Sequence, residues 1–201
     1  MQAKQRMVDR HNGEWIEGIE ADDAIAIDTL EGYINWKETQ DDDDKVIAVT
    51  SDKDAKGTAG WLFNPDKMKE PMLIEGLGEL YLDAKKNVDG YGRIWFIFQV
   101  CSGDSVDNYS ANSATNKKWG PKSAYDKLRE CKTDKQAWEK AIEIYKELYP
   151  EPFEFIGWQG DTLNLTWFDV MQENVHLAFM LPSVDYRYDL KKILKNLGIK
   201  V

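Results

Sequence analysis

The chain predicts an α/β fold. Three observations carry that reading. The segment "EADDAIAIDTLEGYINW" has helical periodicity, with acids in its first turn. A polar loop follows, and then the apolar segment "KVIAV", which runs into the acids of "TSDKD". Helix, loop and apolar strand in that order is the pattern of an α/β unit. With 201 residues, 42% of them hydrophobic, the chain can also bury a sizeable core.

The elements follow in order. The first helix starts near Ala21, where Asp22 and Asp23 suit the positive end of the helix dipole. Ala24, Ile27, Leu30 and Ile34 are its expected apolar stripe. "ETQDDDDK" is a solvated loop, and "KVIAVTSDKD" a short buried strand. "GWLFNPDKMKEPMLIEGLGELYL" reads as extended segments joined by Pro and Gly turns. "GRIWFIFQVCSGD" is apolar on all sides, so periodicity leaves strand and buried helix both open.

Helical signals dominate the rest. A helix from Pro121 to about Glu130 has Pro in its first turn. The next, Asp134 to Tyr149, carries a capping box of Thr133 and Gln136. "LTWFDVMQENVHLAFML" is expected to continue to Pro182, with His176 as a packing residue. "YDLKKILKNLG" closes on Gly198 as a C-terminal cap.

Charge narrows the function. The net charge of −10 argues against nonspecific nucleic-acid binding by the whole surface. Yet Glu14 to Asp54 holds 14 acids against 3 lysines, while Asn116 to Lys135 holds 7 Lys and Arg against 3 acids. That asymmetry suggests an acidic site and separate basic surfaces. No apolar run reaches the roughly 18 residues of a membrane span, so no membrane partner is expected. The opening "MQAKQRMVDRHNGEW" lacks the apolar core of a secretory signal. Cys101 and Cys131 make no disulfide framework, and a reducing, cytoplasmic setting is expected.

Three acidic clusters carry the chemistry: Glu20, Asp22 and Asp23 at a helix start, Asp52 and Asp54 after a strand, and Asp104 and Asp107 in "GDSVDN". Taken singly, the first two are ordinary capping or turn chemistry, and the third leaves turn and metal ligand equally open. In an α/β sheet, however, strand C-termini and neighbouring helix N-termini converge on one edge. Carboxylates gathered there repel one another, and a divalent cation relieves the repulsion. Hard oxygen ligands without Cys or His select magnesium or manganese. Downstream, "NKKWGPKSAYDKL" opens a helix at a Gly-Pro turn flanked by lysines, an arrangement that presents backbone N–H groups to a phosphate. Lys117, Lys118 and Lys122 would add contacts to a DNA backbone without reading sequence.

Together these residues resemble the 5′→3′ exonuclease and flap-endonuclease superfamily, and within it the phage-type (bacteriophage) 5′→3′ exonucleases. "EADD" looks like the family's first acidic motif, "VIAVTSDKD" its strand ending in D-x-D, "FQVCSGDSVDNYS" its G-D-x-x-D-N motif, and "KWGPKSA" its DNA-binding hairpin. The resemblance implies a truncated 5′-nuclease (PIN-like) α/β sheet domain over residues 1–102. Over residues 103–201 it implies a helix–three-turn–helix DNA-binding element with C-terminal helices. Arg93 to Ser102 is then a helix. Glu20, Asp22 and Asp23 would hold one Mg2+ or Mn2+ ion. Asp52, Asp54, Asp104 and Asp107 would hold a second. All seven are thereby implied as catalytic. Lys117, Lys118, Trp119, Gly120, Lys122 and Ser123 would line the DNA interface, with K+ at the hairpin.

The resemblance covers about residues 18–131 and has two departures. Lys118 stands where the hairpin usually has its first Gly, and the family's N-terminal strand and helical arch have no counterpart in the residues before Ile19. Lys4, Arg6 and Arg10 are candidates for the end of that arch. The implied activity is hydrolysis of DNA phosphodiesters from 5′ ends or flaps by a two-metal-ion enzyme. This chain would be its C-terminal portion, completed by a separate N-terminal half and working in the cytoplasm of an infected bacterial host. The alternative is a non-catalytic DNA-binding remnant or accessory subunit that keeps the hairpin and one metal. Trp119 is expected to pack under the hairpin rather than stack on DNA, and Cys101 to be buried and inert.

Overall fold

The structure, a computed structural model, describes Arg10, Gly13 and residues 16–200. Lys4 and Arg6 therefore lie outside the described residues, as does most of the opening segment. The architecture is mixed α/β, with small sheets and six helices among the described residues. None of these helices is long and apolar enough to cross a membrane.

Helix α1, Ala21–Thr39, leads into strand β1, Ile47–Val49. β1 pairs in parallel with β2, Gly60–Phe63, which pairs antiparallel with β3, Met72–Ile74. Its sheet order is β1-β2-β3, so β1 is an edge. Two expectations need correcting here. Strand β1 is not buried: only Ala48 points into the core, while Ile47 and Val49 are 41% and 62% exposed, because a three-stranded sheet covers one face of its edge strand. Nor does α1 bury the predicted stripe. Ala26, Thr29 and Gly32 face inward, and Ile34 is exposed. The reason is close approach. A Cβ on Gly32 would lie 2.4 Å from Val46 Cγ2, and one on Gly60 would lie 2.5 Å from Thr29 Cγ2. Small residues, not large apolar ones, set the helix against the sheet.

Strands β4, Glu79–Leu82, and β5, Val88–Tyr91, form an antiparallel hairpin that feeds α2, Arg93–Ser102. The all-apolar run is thus a helix. Every residue from Ile94 to Ser102 is buried, which is why it shows no amphipathic period. Around it pack α3, Pro121–Leu128, α4, Asp134–Leu148, and α5, Trp167–Ala178. Helix α6, Leu190–Asn196, adds Leu190 and Leu194 to the same core. The boundary expected at 102/103 falls within this cluster. A smaller core of Ala48, Leu62 and Ile74 lies inside the sheet unit. One hydroxyl ties three helices: Tyr145 donates to the Val100 carbonyl at 2.7 Å and accepts from Asn174 Nδ2 at 2.7 Å.

The helix ends follow local chemistry. Thr133 Oγ1 accepts from the Gln136 N–H at 3.2 Å, while the Gln136 side chain accepts from Lys132 N–H at 2.8 Å. Gly198, at φ +70°, closes α6, with Ile199 N–H donating to the Leu194 carbonyl. Helix α5 stops at Ala178, short of Pro182, and Leu165 belongs instead to β7, Thr162–Leu165, paired with β6, Phe153–Ile156. After Ala178 the backbone turns extended so that Phe179 can pack on Tyr188 at 4.4 Å and Phe96 at 5.6 Å between ring centres. His176 is exposed, its Nε2 lying 3.1 Å from the Tyr188 carbonyl oxygen, so it is not a core residue.

Candidate metal centre and nucleic-acid interface

Asp52 and Asp54 follow β1 on the loop that crosses to β2. Thr50 Oγ1 accepts from the Asp52 N–H at 3.0 Å, and Asp52 Oδ1 accepts from the Asp54 N–H at 2.9 Å. These side chains shape the chain into a tight 3-10 turn, Asp54–Gly57. The turn docks on one face of α2. Trp95 Nε1 donates to the Lys53 carbonyl at 2.9 Å, and Gln99, one helical turn on, donates its amide to Asp54 Oδ1. A Cβ on Gly57 would sit 3.3 Å from Phe96 Cβ, so the approach is close.

The same helix delivers the other two acids. Gly103, at φ +78°, ends α2, and a Cβ there would lie 2.4 Å from Ser110 Cα and from the Tyr109 carbonyl oxygen. That crowding folds the loop back on itself. Asp104 N–H donates to the Tyr109 carbonyl at 2.9 Å, and Tyr109 N–H returns the bond at 3.0 Å. Asp104 Oδ1 accepts from Val106 N–H at 2.8 Å. Asp54, Asp104 and Asp107 each then offer an oxygen to one point, with those oxygens within 4.8 Å of one another.

The electrostatics of the three acids differ. Burial pushes the Asp54 carboxyl up, and the neighbouring Asp52 charge adds to this, to about 6. Burial also works against ionisation of Asp104, but the Lys53 ammonium and the N–H groups of Val106 and Asp107 outweigh it and hold that carboxyl below its usual range. Asp104 is 3% exposed and pairs with Lys53 Nζ. Asp107 is exposed. A divalent cation suits this set. Oxygen ligands 2.0–2.6 Å from an ion lie up to about 5 Å from each other, so these three oxygens are near enough to share one ion. Three hard oxygens leave positions for water, as magnesium and manganese prefer.

The first cluster is not gathered into the triad. Asp23 Oδ1 accepts from the Leu181 N–H at 2.8 Å, and Asp22 Oδ1 accepts from the Asp23 N–H at 3.0 Å. Glu20 is exposed at the N-cap of α1 without capping it. Asp22 and Asp52 line one narrow cleft together with Thr29 and Thr50, and there the two acidic sets come into a common space. Lys53 and Gln99 are the residues that sequence reasoning missed. Their signal was present, a Lys inside "DKD" and a Gln inside an apolar run, but it means nothing until the two segments are known to meet.

The lysine-rich turn sits at the start of α3. Trp119 packs under it, its Nε1 donating to the Cys101 carbonyl at 2.8 Å, so it is not presented for stacking. Lys117 is exposed, with its ammonium bonded to the Glu147 carbonyl. Lys118 and Lys122 are exposed, and Lys122 pairs with Asp126 at 3.3 Å. Ser123 is half-buried in the first turn of α3. Gly120 has an extended backbone, and a Cβ there would meet nothing within 4 Å. Its bare main chain therefore faces open space. Cys101 is fully buried, and burial pushes its thiol well up, leaving it inert.

No family model, curated protein or solved structure matches the chain.

Proposed function

We propose that this chain is the metal-binding and DNA-binding portion of a phage-type 5′→3′ exonuclease, acting on DNA from 5′ ends or flaps. One observation carries the reading. Asp54, Asp104 and Asp107, from two motifs fifty residues apart in sequence, converge on one point. In this reading the sheet unit belongs to a PIN-like domain. Helices α3 and α4, with the turn before α3, form the helix–three-turn–helix element, where K+ would also bind.

Mg2+ or Mn2+ held by Asp54, Asp104 and Asp107 would stabilise the charge on the oxygen leaving phosphorus. Asp52, with Glu20, Asp22 and Asp23, would border a second ion in the complete enzyme. The exposed Lys118 and Lys122, with the open backbone at Gly120, support a DNA clamp that contacts phosphates without reading bases. The test is magnesium-dependent release of nucleotides from 5′-labelled duplex DNA. It should be run with the chain alone and with a polypeptide carrying the family's N-terminal strand and arch. Release is expected with that polypeptide present and should vanish in Asp104→Asn. Release in neither setting, or release untouched by Asp104→Asn, overturns the proposal.

A second reading has its own support: Asp23 is committed to the Leu181 backbone and stands apart from the triad. That favours a DNA-binding accessory subunit with one metal and no cleavage. Its signature is DNA binding that survives chelation and falls steeply with salt, with no nucleotide release in any combination.

A further inference from the structure

The triad carries its own cation. Lys53 sits between Asp52 and Asp54, and its ammonium pairs with Asp104 Oδ2. The two halves of this lysine behave differently. Its main chain is pinned, because its carbonyl accepts from Trp95 Nε1 at 2.9 Å and from Lys56 N–H at 3.2 Å. Its side chain is 48% exposed and held only at the ammonium. Asp104 is the reverse, a carboxylate 3% exposed and fixed by its own loop. A flexible four-carbon stem thus delivers a movable charge to an immovable, buried one.

An ammonium and a divalent ion compete for that carboxylate, because both are positively charged and repel each other at contact distance. We propose that Lys53 is a resident counter-ion, seated on Asp104 in the metal-free protein and displaced to the rim when a divalent cation enters. Lys53 then does two things. It neutralises the buried Asp104 carboxylate while no metal is bound, and it sets the threshold concentration at which a metal can take the site. This rests on the metal reading of the triad given above. A lysine suits the role better than an arginine, because a single ammonium on a flexible stem leaves more readily than a bidentate guanidinium.

The test is Mn2+ binding to the whole chain, read from the loss of the free-ion electron paramagnetic resonance signal. Lys53→Met should bind Mn2+ about five- to tenfold tighter than the native chain, the size of a half-exposed ion pair. Lys53→Arg should show no tightening, and Asp104→Asn should lose binding. Circular dichroism in chelator reports whether each variant folds. If Lys53→Met does not, Lys53→Gln carries the same expectation, since it removes the charge and keeps a donor for Asp104. Equal binding by the native and neutral variants overturns the counter-ion role and leaves the metal reading standing. Weaker binding in the neutral variants also overturns it, making Lys53 a residue that positions Asp104. Absence of Mn2+ binding in every form overturns the metal reading itself, and the counter-ion role with it.

Discussion

Replacing Asp54 by Asn should stabilise the metal-free protein at neutral pH. The magnitude follows from its surroundings. Burial and the Asp52 charge raise its carboxyl from 3.8 to about 6. At 1.36 kcal/mol per pH unit this is about 3 kcal/mol, and because the carboxyl is only half-buried, screening reduces it to roughly 1.5 kcal/mol. The sign is fixed by the direction of the shift. A carboxyl harder to ionise in the fold than in the open chain weakens the fold at pH values above about 6. The penalty fades as pH falls through 6 and is gone near 3.8, the unfolded value. Asp104 acts oppositely, but in a separate window, because its lowered carboxyl favours the fold until pH drops below the unfolded value. Asn keeps the oxygen that accepts from Gln99, so the substitution removes charge and little else. In chelator at pH 7.5, calorimetry should show Asp54→Asn melting roughly 3–6 °C higher, with the advantage shrinking by pH 5. A variant that melts at or below the native temperature at pH 7.5 refutes this reasoning. So does a gain undiminished at pH 5.

Three further outcomes are expected. Gly103→Ala must force a Cβ against Ser110 Cα and the Tyr109 carbonyl at a positive φ; it should lose about 2 kcal/mol or more, seen as a lower melting temperature, and an unchanged temperature would contradict the loop geometry. Tyr145→Phe leaves the Val100 carbonyl and the Asn174 amide unpartnered in the core; chemical denaturation should show a loss of about 1–3 kcal/mol. Gly120→Ala should change stability by no more than about 1 kcal/mol, since a Cβ there meets nothing. If DNA phosphates approach that main chain, fluorescence anisotropy with duplex DNA should nonetheless show affinity falling about fivefold.

How far the sequence could be read depends on the range of the forces involved. Capping is local, so Thr133 with Gln136, and Gly198, were legible from neighbours alone. Helix α2 was not legible from its own pattern. Surrounded by α3, α4 and α5, it is apolar on every side and has no face to reveal, and only the family resemblance implied a helix. The face of α1 was misread because large apolar residues were weighted, whereas contact is made where Gly32 and Thr29 let the sheet come close. The end of α5 was misread because Pro182 seemed the stop, while an aromatic contact of Phe179 ends the helix earlier. Among the acids, Asp54, Asp104 and Asp107 could be named from their motifs, but that Asp23 holds the Leu181 backbone depends on a contact 158 residues away in sequence.

The triad also lies across a seam. The turn bearing Asp54 adjoins the small core through Ala55, whereas Asp104 and Asp107 hang from the end of α2, in the large one. The large core has its helices cross-linked by the Tyr145 hydroxyl and should exchange its amide hydrogens slowly and together. The sheet unit, with a core of three buried apolar residues, should open more often and at lower free energy. Each such opening reaches the turn bearing Asp54 through Ala55, while Trp95 and Gln99 hold that turn on α2. A cation across the seam would then act as a staple between two cooperative folding units, and amide exchange in β1 to β3 should slow on metal binding far more than exchange in α4.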